Sequence, residues 1–464
     1  MPASLDAIII GSGQAGPFLA AKLAAGGMRT ALIEREHLGG TCVNDGCMPT
    51  KTLVASARAA HMARRAADYG VSLVGGVAVD MKVVKARKDR IVNQSIQNLT
   101  QWLTDMPNLR LVRGHARFTA AHAVQVDGEV LEAPKIFINV GGRAVLPDWP
   151  GLHGVPMLTN TTILELDTLP DHLLVVGGSY IGLEFAQMYR RFGARVTVLE
   201  AADRLIVRED PEVSREVQDM LEAEGVKFHL GVRGAQAMAL PGGTGMRVAF
   251  NAAGVAHRVD ASHALAAVGR RPNTDDLGLQ CTAIATDAHG FIRVDEQLRT
   301  NVAGVWALGD VNGRGAFTHT SYNDHEIVAA NLLGGATRSV TERIPAYALF
   351  TDPPLGRIGM NEAEVRASGR PALVGVLPMT RVGRAKERGE TRGFMKVLVD
   401  AQSERILGAA LLCIEGDEIV HSLLDLMYAG ASYKVAQRAT HIHPTVSEWI
   451  PTLLGQLVPL EAAT

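Results

Sequence analysis

Short unbroken apolar runs alternate along this chain with longer stretches that read as helices. Ala7-Ile8-Ile9-Ile10, Thr30-Ala31-Leu32-Ile33, Leu173-Leu174-Val175-Val176 and Val196-Thr197-Val198-Leu199 carry almost no polar residue. Such runs predict parallel strands covered on both faces. Helices are expected from Phe18 to Ala25, from about Cys42 to Ala67, from about Val83 to Thr104, and after Gly182 as far as Arg191. Arg87, Lys88 and Arg90 on the third of these predict a solvated face. Between Leu109 and Val140 the runs shorten and alternate (Leu109 to Arg113, Ala123 to Val126, Ile136 to Asn139), which predicts a small antiparallel sheet turning at Asp127-Gly128. From about Thr341, strands near Ala346 to Phe350, Met395 to Val399 and Ile406 to Leu412 alternate with helices near Glu362 to Ala367, Asp417 to Met427 and Val446 to Leu454. That last part reads as an α+β domain with no nucleotide signature of its own.

The first strand runs into Gly11-Ser12-Gly13-Gln14-Ala15-Gly16 and then a helix, and the second strand ends in Glu34. Glycines there allow a tight turn and the close approach of a pyrophosphate to a helix N-terminus, while the acid suits an adenosine ribose hydroxyl. The unit recurs as Gly177-Gly178-Ser179-Tyr180-Ile181-Gly182 with Glu200, and Gly11 to Glu34 and Gly177 to Glu200 both span 23 positions. Two dinucleotide sites are therefore expected on one chain. Ser179 departs from the fingerprint's second glycine. Glu200 should accept from a free ribose 2′-hydroxyl and repel a 2′-phosphate, favouring NADH over NADPH, a preference tempered by nearby Arg204 and Arg208. Ala264 to Val268 and Gly269-Arg270-Arg271-Pro272-Asn273-Thr274 close the second unit. Val305 to Leu308 leads into Gly309-Asp310, an acid placed either for a cofactor hydroxyl or as the N-cap of a helix starting near His319.

Chemistry enters with Gly39-Gly40-Thr41-Cys42-Val43-Asn44-Asp45-Gly46-Cys47-Met48-Pro49-Thr50-Lys51. Positions five apart in a regular helix lie roughly 8–9 Å from each other, too far for a disulfide. A Cys42–Cys47 bridge therefore needs a distorted first turn, which Gly46 and Pro49 permit. Two structural cysteines or half a zinc site are the bland alternatives, but no second Cys/His pair stands nearby at ligand spacing, and Cys281 and Cys413 are isolated. No metal site is expected. Asp45 between the cysteines should disfavour a thiolate. Near the end, His443 and Glu448 flank a helix start, where the acid could orient the imidazole.

With 464 residues, a net charge of −2 and only four cysteines, the chain has room for several domains, no electrostatic footprint for nucleic acid and too few cysteines for a stapled secreted scaffold. It shows neither a signal-like N-terminus nor an apolar run long enough for a membrane helix, so a cytoplasmic protein is expected.

The cysteine motif, both fingerprints, Gly309-Asp310 and His443-Pro444-Thr445 with Glu448 occur in one order and closely resemble the flavoprotein disulfide reductases: dihydrolipoamide dehydrogenase, glutathione reductase, mercuric reductase and their relatives. Around Gly13 to Gly16, Phe317 to Asp324 and Thr351 to Gly356 the chain looks most like the mercuric-reductase-like branch, which includes the reactive-chlorine-resistance reductases. The resemblance implies two Rossmann-like domains, for FAD and NAD(P), plus an α+β dimerisation domain. The expected division is 1–145 and 273–340 for the FAD domain, 146–272 for the nicotinamide domain and 341–464 for dimerisation.

It further implies that Gly11, Gly13, Gly16, Glu34, Gly309 and Asp310 hold FAD, with Thr41 near the flavin. Gly177, Ser179, Tyr180, Gly182, Glu200 and Gly269 would serve the nicotinamide cofactor, with Tyr180 covering the empty pocket. Cys47 would be the thiolate beside the flavin, Cys42 the thiol that attacks substrate, and Lys51 a partner of Glu184. His443, held by Glu448, would act across a homodimer interface as acid and base. The chain ends Pro459 to Thr464 without the vicinal cysteines of mercuric reductases or large thioredoxin reductases, and has Gln14 and Ala21 where glutathione reductases place Ser and Arg. The expected activity is NAD(P)H-dependent reduction of a small disulfide or thiol-reactive oxidant, such as hypothiocyanous acid. Dihydrolipoamide dehydrogenase is the alternative, and a slow redox- or metal-sensing flavoprotein a third reading.

Overall fold

The computed structural model describes residues 5–243 and 245–461. Residues 1–4 and 462–464, where the expectations about a leader and a terminal cysteine pair partly fall, lie outside the described residues. The first sheet has five parallel strands in the order Val305–Ala307, Ile136–Ile138, Ala7–Ile10, Thr30–Glu34, Leu109–Arg113. Its central strand is apolar at every position because both faces are covered. Ile8 and Ile10 enter one buried cluster, and Ala7 and Ile9 the other, which holds Leu19 and Leu23 of α1 (Gly16–Ala25). Ile9 is 0 % exposed, and truncating such a residue to alanine costs about 2–5 kcal/mol.

A second parallel sheet, Lys227–His229, Arg195–Leu199, His172–Val176, His263–Ala266, repeats the arrangement. The third is antiparallel and six-stranded, in the order Ala346–Leu349, Leu355–Gly359, Ile406–Leu412, Phe394–Asp400, Ala372–Pro378, Val458–Pro459. The α/β class, with two parallel-sheet units and a C-terminal antiparallel domain, agrees with the reading from sequence, which did not anticipate the strands Leu355–Gly359 and Ala372–Pro378 of the last sheet.

Three local expectations are corrected. The helix expected from Cys42 is broken between the cysteines into α2 (Gly40–Asn44) and α3 (Cys47–Arg64). At the break a Cβ on Gly46 would lie 2.8 Å from the Thr41 carbonyl oxygen, so only glycine fits, and the Asp45 carbonyl is tied to Asn160 Nδ2 at 3.0 Å. The antiparallel sheet expected over 109–140 is confined to Arg117–Ala120, Ala123–Val126 and Glu129–Glu132, with its turn at Asp127-Gly128. Leu109–Arg113 alternates because it is the half-covered edge of the parallel sheet, and Ile136–Ile138 is interior to it. The basic cluster on α4 (Met81–Thr104) is a solvated face only at Arg90, which is exposed. Lys88 is 4 % exposed and meets Asp89 and Glu165, while Arg87 donates to the Thr52 carbonyl of α3. Among the described residues, no helix is long and apolar enough to cross a membrane.

Candidate active site

The redox motif sits where the three sheets' domains meet. The break at Gly46 starts α3 at Cys47 and brings Cys42, at the middle of α2, back to hydrogen-bonding range of it. Both thiols are free, Cys42 half-buried and Cys47 exposed at the protomer surface. Cys47 Sγ lies 3.0 Å from Thr318 Oγ1, the first residue of α7 (Thr318–Leu333). One turn along α3, Lys51 Nζ donates to Glu184 Oε2 at 2.7 Å and stands 4.3 Å over the Phe350 ring. Glu184 belongs to α5 (Tyr180–Phe192), the helix after the second glycine loop, and its other oxygen accepts from the Phe350 amide at 3.0 Å.

These contacts make the two thiols unequal. The hydrogen bond from Cys42 holds Cys47 down to about 6 against the cost of its burial, helped by Thr318 and the Lys51 charge. Cys42 is pushed up by its hydrogen bond to Cys47, by burial and by the Cys47 charge. The reduced pair is thus a thiolate at Cys47 and a thiol at Cys42. Asp45 is not among the leading influences on either thiol. The acid opposing the Cys47 thiolate is Glu184, and burial raises the Asp45 carboxyl's own pKa. Cys413 is buried, its thiol pushed up by that burial, and Cys281 is exposed.

The two glycine loops match contact for contact. A Cβ on Gly11 would run into the Asn139 carbonyl oxygen, and one on Gly177 into that of Ala267. A Cβ on Gly16 or Gly182 would strike the carbonyl of its own loop's first glycine. Glu34 accepts from the Ser12 amide at 2.9 Å and the Glu36 amide at 2.9 Å; Glu200 accepts from the Gly178 amide at 2.6 Å and the Ala202 amide at 2.7 Å. Each carboxylate clamps its loop and keeps lone pairs for a ligand hydroxyl. Ser179 is exposed with extended backbone, φ −109° and ψ −171°, so serine takes the second-glycine position without strain. Arg204 is turned onto the Val207 carbonyl at 2.7 Å.

Asp310 lies in a single turn of tight helix, Gly309–Asn312, and does not cap α7, whose N-cap is Phe317. Burial raises its carboxyl, and Arg270 Nε is 3.8 Å away. Arg270 also donates to Thr41 Oγ1 at 3.4 Å, which places Thr41 and Asp310 on one groove. Asp324, unremarked in the sequence, shapes the turn by accepting from the Gly309 amide at 2.7 Å and from Asn312 Nδ2 at 3.1 Å. Tyr180 donates to Glu209 Oε1 at 2.9 Å. His443 Nδ1 donates to Glu448 Oε2 at 2.8 Å, and the histidine side chain is 81 % exposed. Within one protomer that dyad faces outward. Thr318, Asp324 and Glu209 were not readable as site residues, since each meets its partner only across the folded chain.

The pyridine nucleotide-disulphide oxidoreductase family matches residues 5–324, and its dimerisation domain matches residues 345–454. The chain is 37 % identical to a probable pyridine nucleotide-disulfide oxidoreductase, RclA, of Escherichia coli strain K12, over 97 % of this chain and 98 % of that one. It is 31 % identical to a dihydrolipoyl dehydrogenase of Haloferax volcanii, over 98 % of this chain and 97 % of that one. Among solved structures, the HOCl-induced flavoprotein disulfide reductase RclA from Escherichia coli superposes with a TM-score of 0.88 at 36 % identity, covering 97 % of this chain and 99 % of that one. Both fingerprints, the cysteine pair and the antiparallel terminal domain thus belong to one architecture, and the chain is a member of the pyridine nucleotide-disulphide oxidoreductase family.

Proposed function

We propose that this chain is an FAD-dependent NAD(P)H oxidoreductase, favouring NADH, that delivers reducing equivalents through Cys42 and Cys47 to a small disulfide or a thiol-reactive oxidant such as hypothiocyanous acid. The inequality of the thiols carries this reading. A thiolate held at Cys47 and a protonated Cys42 divide the work between an electron-accepting sulfur and a substrate-facing one.

FAD and NAD(P)H are the family's cofactors, and the residues fit them. Arg270 Nε is buried without a hydrogen-bond partner, and it shares its groove with Asp310 and Thr41. A ligand bearing acceptors and hydroxyls satisfies both sides of that groove. Gly11, Gly13, Gly16, Glu34, Thr41, Gly309 and Asp310 would hold FAD, and Gly177, Ser179, Tyr180, Gly182, Glu200 and Gly269 the nicotinamide dinucleotide. When bound, the flavin carries a hydride equivalent from the nicotinamide to the Cys42–Cys47 disulfide.

The chain's own groups do the rest. Cys42, deprotonated, attacks one sulfur of the substrate disulfide; a mixed disulfide forms and a thiolate leaves, taking a proton from the imidazolium. The Cys47 thiolate then attacks Cys42 Sγ, closing the internal disulfide and releasing the second substrate thiolate. Two electrons leave the pair for each disulfide reduced. With hypothiocyanous acid the first attack expels hydroxide, protonated to water, and the second expels thiocyanate. Among the described residues, the side chains that hydrogen-bond Cys42 are Cys47 and Thr318, and the Cys47 thiolate is reserved for closing the disulfide, whereas His443 and Glu448 form an exposed dyad. We assign the proton transfers to His443 of the partner subunit in a homodimer. Ile442, next to the dyad in sequence, is 81 % exposed, and Tyr428 and Val435 of the same domain are each 58 % exposed. A dithiol that works by staying reducible belongs in the cytoplasm.

The test is NADH oxidation by the FAD-loaded dimer with hypothiocyanous acid and lipoamide compared side by side. Rapid turnover with hypothiocyanous acid, lost in Cys42→Ser, supports the proposal. Rapid turnover with lipoamide alone would replace it with lipoamide redox chemistry, the activity named for the Haloferax volcanii relative. Slow rates with both would overturn the substrate assignment.

A further inference from the structure

Glu209 is a buried carboxylate with two phenols on one oxygen. Its Oε1 accepts from Tyr180 at 2.9 Å and from Tyr347 at 2.8 Å. Its Oε2 has no hydrogen-bond partner and faces Arg357 Nε at 3.8 Å, beyond hydrogen-bond range. Arg357 is 1 % exposed, and its Nη2 also lacks a partner. Tyr347 and Arg357 are directly opposed on the paired strands Ala346–Leu349 and Leu355–Gly359, so the dimerisation sheet presents both to Glu209. The Tyr180 ring stands edge-on to Tyr347, with centroids 5.5 Å apart and an interplanar angle of 89°.

Tyr180 occupies a narrow place. It is the first residue of α5, directly after Gly177–Ser179, and Glu184 one turn further holds Lys51 beside the redox motif. The Phe317 ring is 6.5 Å from it, and the next residue, Thr318, touches Cys47. On the proposed reading of the second loop, a nicotinamide reaching from it toward the Lys51–Glu184 pair passes this phenol.

On the reading of the second loop as the nicotinamide site, we infer that Glu209 and Tyr347 are positioning residues that clamp Tyr180 across the nicotinamide path, and that NAD(P)H binding breaks the Tyr180–Glu209 bond. Buried polar atoms are nearly always paired. Here two unpaired ones, Glu209 Oε2 and Arg357 Nη2, stand on one ion pair. That gives the carboxylate a second arrangement: when Tyr180 leaves, Glu209 turns and closes on Arg357. The clamped population competes with the nucleotide, and apparent affinity falls in proportion to the fraction that is open. The dimerisation sheet thereby sets nucleotide affinity in a domain it does not belong to.

Anaerobic stopped-flow reduction of the FAD-loaded dimer by NADH and by NADPH tests this in wild type, Tyr180→Phe, Glu209→Gln and the double variant. Tyr180→Phe keeps the ring and removes the bond, so the half-saturating nucleotide concentration should fall about 3- to 10-fold. Glu209→Gln should shift it the same way, and the double variant no further than the larger single effect. A merely structural Glu209 would alter thermal stability and leave half-saturation where it was. Glu209→Gln takes one of two carboxylates from Arg357, which keeps Asp210 at 3.3 Å, and is the variant at risk of not folding; Tyr180→Phe leaves both carboxylates in place and decides the matter alone. Unchanged half-saturation in Tyr180→Phe, or additive shifts in the double variant, would overturn the clamp while leaving the nicotinamide site standing. A wild-type flavin reduced by neither nucleotide would overturn the nicotinamide site itself, and the clamp with it.

Discussion

Lys51 Nζ and Glu184 Oε2 are 2.7 Å apart, and this one ion pair joins the cysteine helix to the helix that follows the second glycine loop. Glu184 is 6 % exposed and Lys51 33 %, so the pair is screened far less than a surface one. It holds a cation beside the Cys47 thiolate and sets the spacing between the two nucleotide units at once.

Lys51→Met should therefore raise the Cys47 pKa from about 6 by on the order of one unit, since a stabilising cation is lost and the opposing Glu184 charge is not. Ultraviolet thiolate absorbance of the reduced protein against pH reads this directly. Thr318→Val, which removes a hydrogen bond and little volume, should move it in the same direction. A titration unmoved in Lys51→Met would mean that Cys42 and Thr318 stabilise the thiolate without the cation.

The reduced and oxidised proteins should differ in how stability depends on pH. The Cys47 pKa is lowered to about 6 in the fold, against about 8.5 unfolded. Between these values the unfolded chain holds the extra proton, so stability rises with pH, and the contribution is lost as pH falls through about 6. Cys42 is raised, so above about 8.5 the unfolded chain loses a proton the fold retains, and stability falls again. Denaturant midpoints of the reduced form should be highest near the upper of these limits; the oxidised form, in which Cys42 and Cys47 no longer titrate while the buried Cys413 still does, should lack the rise between about 6 and about 8.5.

Trans action of His443 is decided by mixing inactive partners. In a heterodimer of Cys42→Ser and His443→Ala protomers, one site carries both lesions and the other neither, so activity should return to roughly half of wild type. Action within a protomer leaves both sites dead. Each homodimer should lose on the order of 10²–10⁴ in rate if its residue transfers protons or bonds in the reaction.

Glu200→Gln keeps an acceptor for the Gly178 and Ala202 amides and removes the charge that, on the proposed nicotinamide site, would face the ribose 2′-position. The ratio of kcat/KM for NADH to that for NADPH should fall about tenfold. An unchanged ratio would show that another group reads the 2′-position.

What the sequence determined by itself was local. Glycine loop, helix, second strand and terminal acid lie within 23 positions of the first glycine in both nucleotide units, and neighbours along the chain suffice to specify such a turn. The same holds in part for the cysteines: Gly46 permits the break that returns Cys42 to Cys47, while Asn160 ties the Asp45 carbonyl there from 115 positions away. His443 and Glu448 are five positions apart, and their 2.8 Å contact was anticipated for that reason. What only the tertiary structure decided depends on distant segments packing together. Thr318 reaches Cys47 across 271 positions and Tyr347 reaches Glu209 across 138, whereas Lys51 and Glu184, 133 apart, are paired in advance only through the family resemblance. Lys88 looked solvated until Glu165 and Asp89 closed on it, and Leu109–Arg113 looked antiparallel until its one covered face was seen at the edge of a parallel sheet. Periodicity records how many faces of an element are buried and leaves open which neighbours bury them, because apolar burial is non-directional and a partner is chosen only when whole domains meet.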